Sequence, residues 1–486
     1  MREFLFLILN FNFISCITYA QDVTMSPPVK VNTGESRVEI IGRTDQGILV
    51  RHTQRSDDEL VTFYDNMQQH WRKKIPVHDK DAVVQQIVAY PDSMTFLYTV
   101  SNKGETTLNA MKTDSRIDPQ SRTIILDTLS RNFLAPASQP AFAFTPDKEL
   151  VLYWFNDPNF ESSHVLHTTC MSGKLKVEWR CPVKISGFDH PDVITGVVDT
   201  SGDAVIICGN YKERSFSNDF PYTEMMVISI RDHGKEVHSQ IIRDGDVLFS
   251  DCLAKPDAFT GNVVIGGLYS HAAGNESSGF YLLKYSAADD SVTSTVYQAH
   301  TTDFLSQLTG SVTPKRNDGF FDFHPVELIV KRDGGAVLLA EAQSVSSESF
   351  TSPGLGTFGL SSGFTVNSYH YDDIAVSSFK PNGDADWKLI LHKKQATEGD
   401  GGFYSSFAMV IAKQKAYIMY NDETNGQTSV ECYVVDAAGN QTRTELFNAD
   451  RKGVMPTMKL AKQISANEIL IPSFKRSFLQ FIKITF

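Results

Sequence analysis

Glu341 and Asp372 are the carboxylates of this chain that could divide acid and base work between them, since unequal burial can drive two carboxyls in one cleft to different pKa values. They stand among Arg316, Gln343, His370, Tyr371, Lys394, Gln395, Tyr404, Asn421 and Asp422. Aromatic rings beside carboxylates and amides also suit a non-catalytic role: flat apolar faces take sugar rings or peptide side chains, and the polar groups orient them. The segments that carry these residues are rich in Ser and Gly, so a tolerated surface insertion is the competing reading.

Established catalytic signatures are missing from the sequence. Gly354-Leu355-Gly356-Thr357-Phe358-Gly359 matches G-x-G-x-x-G in letters, but no helix follows to aim amides at a pyrophosphate. His233, Glu236 and His238 lack the spacing of a zinc enzyme, and no Cys-x-x-Cys pair offers a metal site. There is no G-x-S-x-G elbow, sialidase-type box, WD40 signature or EF-hand loop. No cofactor and no metal is expected.

What positions the candidate residues is a repeat of roughly 50 residues running from about Arg37 to the C-terminus. Residues 324–395 show it best: HPVELIVKRDGG, AVLLAEA, YDDIAVSSFKPNGDAD and WKLILHKKQ are strand-length apolar runs separated by Asp-Gly-Gly and Asn-Gly turns. Four short strands per unit is the plan of a propeller blade. The expected fold is therefore all-β, a single β-propeller over residues 21–486. Blades begin near 37, 84, 140, 192, 249, 322, 403 and 455, giving eight blades of four antiparallel strands, with seven as the alternative. Trp71, Trp179 and Trp387 open the fourth strands of their units, where large rings pack between sheets.

The last unit ends at Phe486 after three strands, so the segment SPPVKVNTG at 26–34 is expected to complete its sheet, with Pro27 and Pro28 confining it to an edge. The one stretch with helical periodicity is TTDFLSQLTG at 301–310. In such a blade the loops after the second and fourth strands leave on one face. Residues 299–323, 342–370 and 393–407 are expected to be such loops, converging on the sector that holds the candidates.

Arg2, the apolar run Phe4–Ile14 and Thr18-Tyr19-Ala20 before Gln21 read as a signal peptide over residues 1–20, which implies a periplasmic or secreted product. Cys16 offers lipid attachment as a minor alternative. Beyond it, Cys170, Cys181, Cys208, Cys252 and Cys432 are odd in number and widely spaced, which argues for buried thiols and against a disulfide framework. No later stretch has the length of a membrane span. The net charge of −12 opposes nucleic acid as a partner, because phosphate binding needs a basic surface.

The series Asp333-Gly334-Gly335, Glu341, Tyr369-His370-Tyr371-Asp372-Asp373-Ile374, Gly383, Trp387, Lys394-Gln395, Ser405-Ser406-Phe407 and Tyr420-Asn421-Asp422 resembles a group of uncharacterised exported bacterial proteins of the cell envelope, themselves predicted to be propellers. The resemblance covers about the last third of the chain. It implies an envelope location and no activity. The sequence thus leads to an exported monomeric binding or scaffold module for a glycan, peptide or protein partner, with a glycan-acting hydrolase or lyase as the alternative.

Overall fold

The computed structural model describes residues 21–55, 57–77, 79–102, 105–130, 139–156, 164–211, 220–271, 276–286, 288–309, 320–351, 363–424 and 426–486. The signal segment with Cys16, the 354–359 glycine run and Arg316 lie outside them.

The fold is all-β. Described residues form successive antiparallel meanders in sequence order, seven of them built on four strands. The first runs from Ser36–Thr44 to Gln69–Lys74, the second from Ala82–Ala89 to Ile124–Ser130, the third from Ala141–Phe144 to Val177–Lys184, and the fourth from Pro191–Val198 to Glu236–Ile242. The fifth spans Leu248–Pro256 to Ser291–Ala299, and a Tyr222–Phe249 pair joins it to the fourth. The sixth comprises Phe323–Val330, Ala336–Thr351, Gly363–Phe379 and Ala385–Leu391; the seventh comprises Phe407–Ala412, Lys415–Thr424, Gln427–Asp436 and Gln441–Asn448. The eighth holds Lys462–Gln463, Glu468–Lys475 and Phe478–Thr485.

Local chemistry repeats along with topology. The first two strands of a sheet slip register at Ile40/Gly42, Val84/Gln86, Val193/Thr195 and Pro325/Glu327. Such bulges add twist at the same place in these four sheets. Turns use Asp and Gly: Asp333 Oδ1 accepts the Gly335 amide at 2.9 Å, and Gly334 takes φ 84°.

The core is a series of inter-sheet layers. Leu49 and Leu60 of the first sheet pack with Ile87 and Phe96 of the second, Trp154 and Trp179 of the third with Val198 and Ile206 of the fourth, and Leu339 and Val376 of the sixth with Ile418 and Val435 of the seventh. One layer joins the chain's ends, combining Val38, Ile48 and Phe63 of the first sheet with Leu470, Phe474 and Leu479 of the eighth. Trp71, Trp179 and Trp387 all lie in fourth strands. Gly439, at φ 83°, rests on the Trp387 indole so closely that a Cβ there would meet ring atoms at 2.7 Å.

The N-terminal segment joins the last sheet. Asp22–Met25 pairs with Ile482–Thr485 and Val29–Lys30 with Phe478–Leu479, on either side of Pro27-Pro28. The inner strand expected at Pro456 is broken into a Pro456–Ser473 bridge, a 3₁₀ turn Met458–Leu460 and the short Lys462–Gln463.

Two loop expectations need correction. Residues 342–370 are not a simple loop: strands continue to Thr351 and resume at Gly363, because Val345, Val366 and Tyr369 among Ser and Thr favour extended backbone. Residues 393–407 include the strand Ala396–Glu398, paired with Ser368–His370. The helix Thr302–Thr309 lies where its periodicity placed it.

Candidate functional site

The long hairpin of the sixth sheet leaves the body of that sheet at a register shift between Glu341 and Gln343. Glu341 therefore sits where second strands end, turned inward and wholly enclosed. Its Oε1 faces Lys393 Nζ at 2.8 Å as an ion pair, both side chains lacking solvent exposure. Its Oε2 accepts from Ser406 Oγ at 2.7 Å and from Gln343 Nε2 at 3.0 Å. Lys393 Nζ donates further to the Tyr371 carbonyl at 2.7 Å and to Gln395 Oε1 at 2.9 Å. Burial holds the Lys393 ammonium below its ordinary pKa, with the Glu341 charge opposing that shift.

The network continues into the seventh and eighth sheets. Gln395 Nε2 donates to the Asn421 carbonyl at 2.9 Å. Asn421 Nδ2 donates to the carbonyls of Tyr404 at 3.0 Å and Pro456 at 2.7 Å. Tyr404 Oη donates to the Phe474 carbonyl at 3.0 Å, and burial pushes its phenol pKa up. Tyr371 is 7% exposed. Lys459 lies 5.0 Å from its ring centroid and donates to its Oη at 2.9 Å. Gly402 packs against the same ring, where any Cβ would come within 2.4 Å of it.

Glu341, Gln343, Tyr371, Gln395, Tyr404 and Asn421 are thus drawn into one assembly. Three other candidates stand apart from it, and a fourth, Asp372, meets only its edge. Lys394 is exposed because residues 391–395 alternate inward and outward, which turns Lys393 and Gln395 in. His370 reaches Ser346 Oγ at 3.4 Å on the exposed hairpin. Asp422 is ion-paired with Arg443, whose guanidinium lies 5.6 Å from the Tyr420 ring and 5.8 Å from that of Tyr433. Asp372 is half-buried, and its Oδ1 accepts the Gln395 amide at 3.3 Å.

Glu341 as an accessible acid or base is accordingly corrected: its charge partner is an enclosed lysine. Sequence reasoning missed Lys393 and Ser406. The signal for Lys393 was present in the alternation Leu391, Lys393, Gln395, one strand face continuing past the end of the sheet. Ser406 stood in the series that carries the resemblance, but its role as a donor was not legible, since it depends on a left-handed backbone, φ 69°, in a loop. Among the described residues no group of three or more His, Cys, Asp or Glu side chains is arranged to hold a metal ion.

No protein-family model and no curated protein matches the chain. Solved structures similar to it include the β-propeller domain of Nup133 from Vanderwaltozyma polyspora, 10% identical with a TM-score of 0.39 over 82% of this chain and 100% of that one. An oligogalacturonate lyase from Vibrio parahaemolyticus is 8% identical, with a TM-score of 0.38 over 95% of this chain and 98% of its own. A prolyl endopeptidase is 10% identical with a TM-score of 0.36 over 83% of this chain, which spans only 55% of that enzyme.

Proposed function

We propose that the chain is an exported eight-bladed propeller that acts as a binding or scaffold module for an extracytoplasmic glycan, peptide or protein partner. The ligand face is the one where the second and fourth strands of the sixth, seventh and eighth sheets end. The observation that carries this reading is the enclosed Glu341–Lys393 pair with its neutral relays through Gln343, Gln395 and Ser406. Charges enclosed in this way fix the shape of the surrounding loops and are shut off from proton exchange with a substrate on the surface.

Above that foundation lie Tyr371 with its Lys459 cation, the half-buried Phe403 and Tyr404 in edge-to-face contact at 5.1 Å, and the exposed Lys394. Rings beside cations suit a polar ligand with flat apolar faces. Export rests on Arg2, the apolar run after it and the Ala20–Gln21 junction. The closed ring is supported by the layer shared between the first and eighth sheets.

Residues 21–486 on glycan and peptide arrays provide the test. The expected outcome is a retained ligand class that leaves unaltered, with at least tenfold weaker capture by Tyr371→Ala and by Glu341→Gln. Release of a cleaved product would overturn the binding-module reading.

A further inference from the structure

The sixth and seventh sheets pack closely at one end and part at the other. Near the candidate site Tyr420 and Tyr433 of the seventh sheet, stacked at 5.9 Å, pack with Ile374 and Leu391 of the sixth, and the gap between sheets is filled. Toward the opposite face, at the turns after the first and third strands, the filling stops. A pocket of about 680 Å³ opens there between Val337, Leu339 and Val376 of one sheet and Ala416, Ile418 and Val435 of the other. Protein interiors rarely leave space larger than a water molecule, and this volume falls in the range of small-ligand sites. It exists because the seventh sheet presents small side chains, Ala412, Ala416 and Ala437, opposite valines. Trp387 forms part of the wall and is fixed by its Nε1, which donates to the Ala437 carbonyl at 3.1 Å.

The mouth differs from the walls. Lys331 and Arg332 come from the turn of the sixth sheet, Lys413 and Lys415 from the turn of the seventh. The acids at the rim are engaged by their own turns. Asp333 accepts the Gly335 amide at 2.9 Å, and Asp436 accepts the amides of Ala438 at 2.9 Å and Asn440 at 3.0 Å. Lys331 is tied to Asp386 at 3.2 Å. Arg332 is exposed and takes no ion-pair partner among the described residues. On a chain of net charge −12, four cations against the two rim carboxylates Asp333 and Asp436, around aliphatic walls, is a local reversal of sign.

We infer that this pocket binds a single-chain amphiphilic anion, an alkyl carboxylate whose chain enters between the sheets while its head stays among Arg332 and the rim lysines. Apolar walls reward burial of methylenes at about 0.8 kcal/mol each. They offer nothing to a sugar's hydroxyls, which burial would leave without partners. The inference is independent of the ligand face proposed above, which lies at the other end of the strands.

The test uses residues 21–486 in titration calorimetry, with dodecanoate, dodecanol and dodecyltrimethylammonium each below its aggregation concentration. Saturable one-to-one binding of dodecanoate is expected, with the alkylammonium at least tenfold weaker. Arg332→Glu changes an exposed turn residue and should weaken dodecanoate at least tenfold without altering thermal stability. Ala416→Phe, which fills the pocket, should abolish binding, its folding checked by circular dichroism. No saturable dodecanoate binding, equal affinity for the cationic surfactant, or indifference to both substitutions would overturn the assignment. Binding of dodecanol as tight as that of dodecanoate would overturn the role given to the cationic rim.

Discussion

A buried ion pair is an ambiguous device, because desolvating two charges offsets much of their attraction, yet removing one partner leaves the other stranded. Glu341 and Lys393 divide that risk unevenly. In Lys393→Met the carboxylate keeps Ser406 and Gln343 as donors but loses its counter-charge, and a destabilisation of about 3–5 kcal/mol is expected. Glu341→Gln leaves an amine already held below its ordinary pKa by burial, so this lysine can shed its proton. The consequence is a pH signature with a definite sign. Between the lowered native pKa and the unfolded value of 10.5, the unfolded chain binds the proton that the native chain releases, so stability rises with pH. Urea midpoints at pH 7, 8 and 9 should show Glu341→Gln recovering toward the wild type while Lys393→Met does not. Parallel profiles for both variants would sink this account. At this scale the sequence was legible to within one position: the lysine that matters stands next to Lys394, and a one-residue shift in strand register exchanges the inner and outer faces.

Elements decide how neighbouring sheets are held, and the clearest case is the helix Thr302–Thr309 between the fifth and sixth sheets. His300 precedes it, stacked on Phe304 at 5.5 Å and edge-on to Phe280 at 5.5 Å. From the sixth sheet Lys388 Nζ lies over both phenyl rings and donates to the carbonyls of Gln298 at 3.1 Å and Ala299 at 2.7 Å. Burial first, and then the Lys388 charge, depress the His300 pKa from 6.5 to about 3. The native ring is therefore neutral at pH values where the unfolded one is charged. Stability falls as pH drops from 6.5 toward 3, on the order of 5 kcal/mol in full. In His300→Phe, which keeps a ring in the stack, that increment should vanish, so the difference between wild-type and variant unfolding free energies should change steadily from pH 7 to pH 4. A constant difference across that range would refute it. Alternating apolar residues and Gly turns made most strands and this helix readable. The overshooting hairpin was not, because Ser-rich segments satisfy loop and strand preferences alike, and tertiary pairing with Ala396–Glu398 selects between them.

At the scale of the whole molecule, the question is what keeps a row of mutually packed sheets from opening where it begins and ends. Incompleteness of the final unit was legible, since three strands at the C-terminus leave a ladder unpaired. The exact donor residues were not, because Pro27 and Pro28 interrupt the segment and split its pairing in two. Ser26 lies at that break with both its groups engaged. Its amide donates to the Phe481 carbonyl at 2.9 Å, and its Oγ accepts the Phe481 amide at 2.9 Å. Val31 follows, 5% exposed, in the layer shared by the first and eighth sheets. Removing residues 21–31 deletes several ladder hydrogen bonds, at roughly 1 kcal/mol net each, together with that burial. It also bares Phe478–Thr485 as an edge strand able to pair with another copy. The truncated protein should melt at a distinctly lower temperature and form concentration-dependent oligomers on size-exclusion chromatography. A synthetic peptide of residues 21–31 should reverse both effects by adding back the missing strand in trans, whereas a version with Thr24 replaced by Pro should not, since the Ser26 amide donates to Phe481, alternation turns the Thr24 amide toward its partner Lys483, and proline cannot donate there. If the truncation melts like the parent, the terminal strand is decoration, and the packing between the first and eighth sheets alone holds the chain's two ends together.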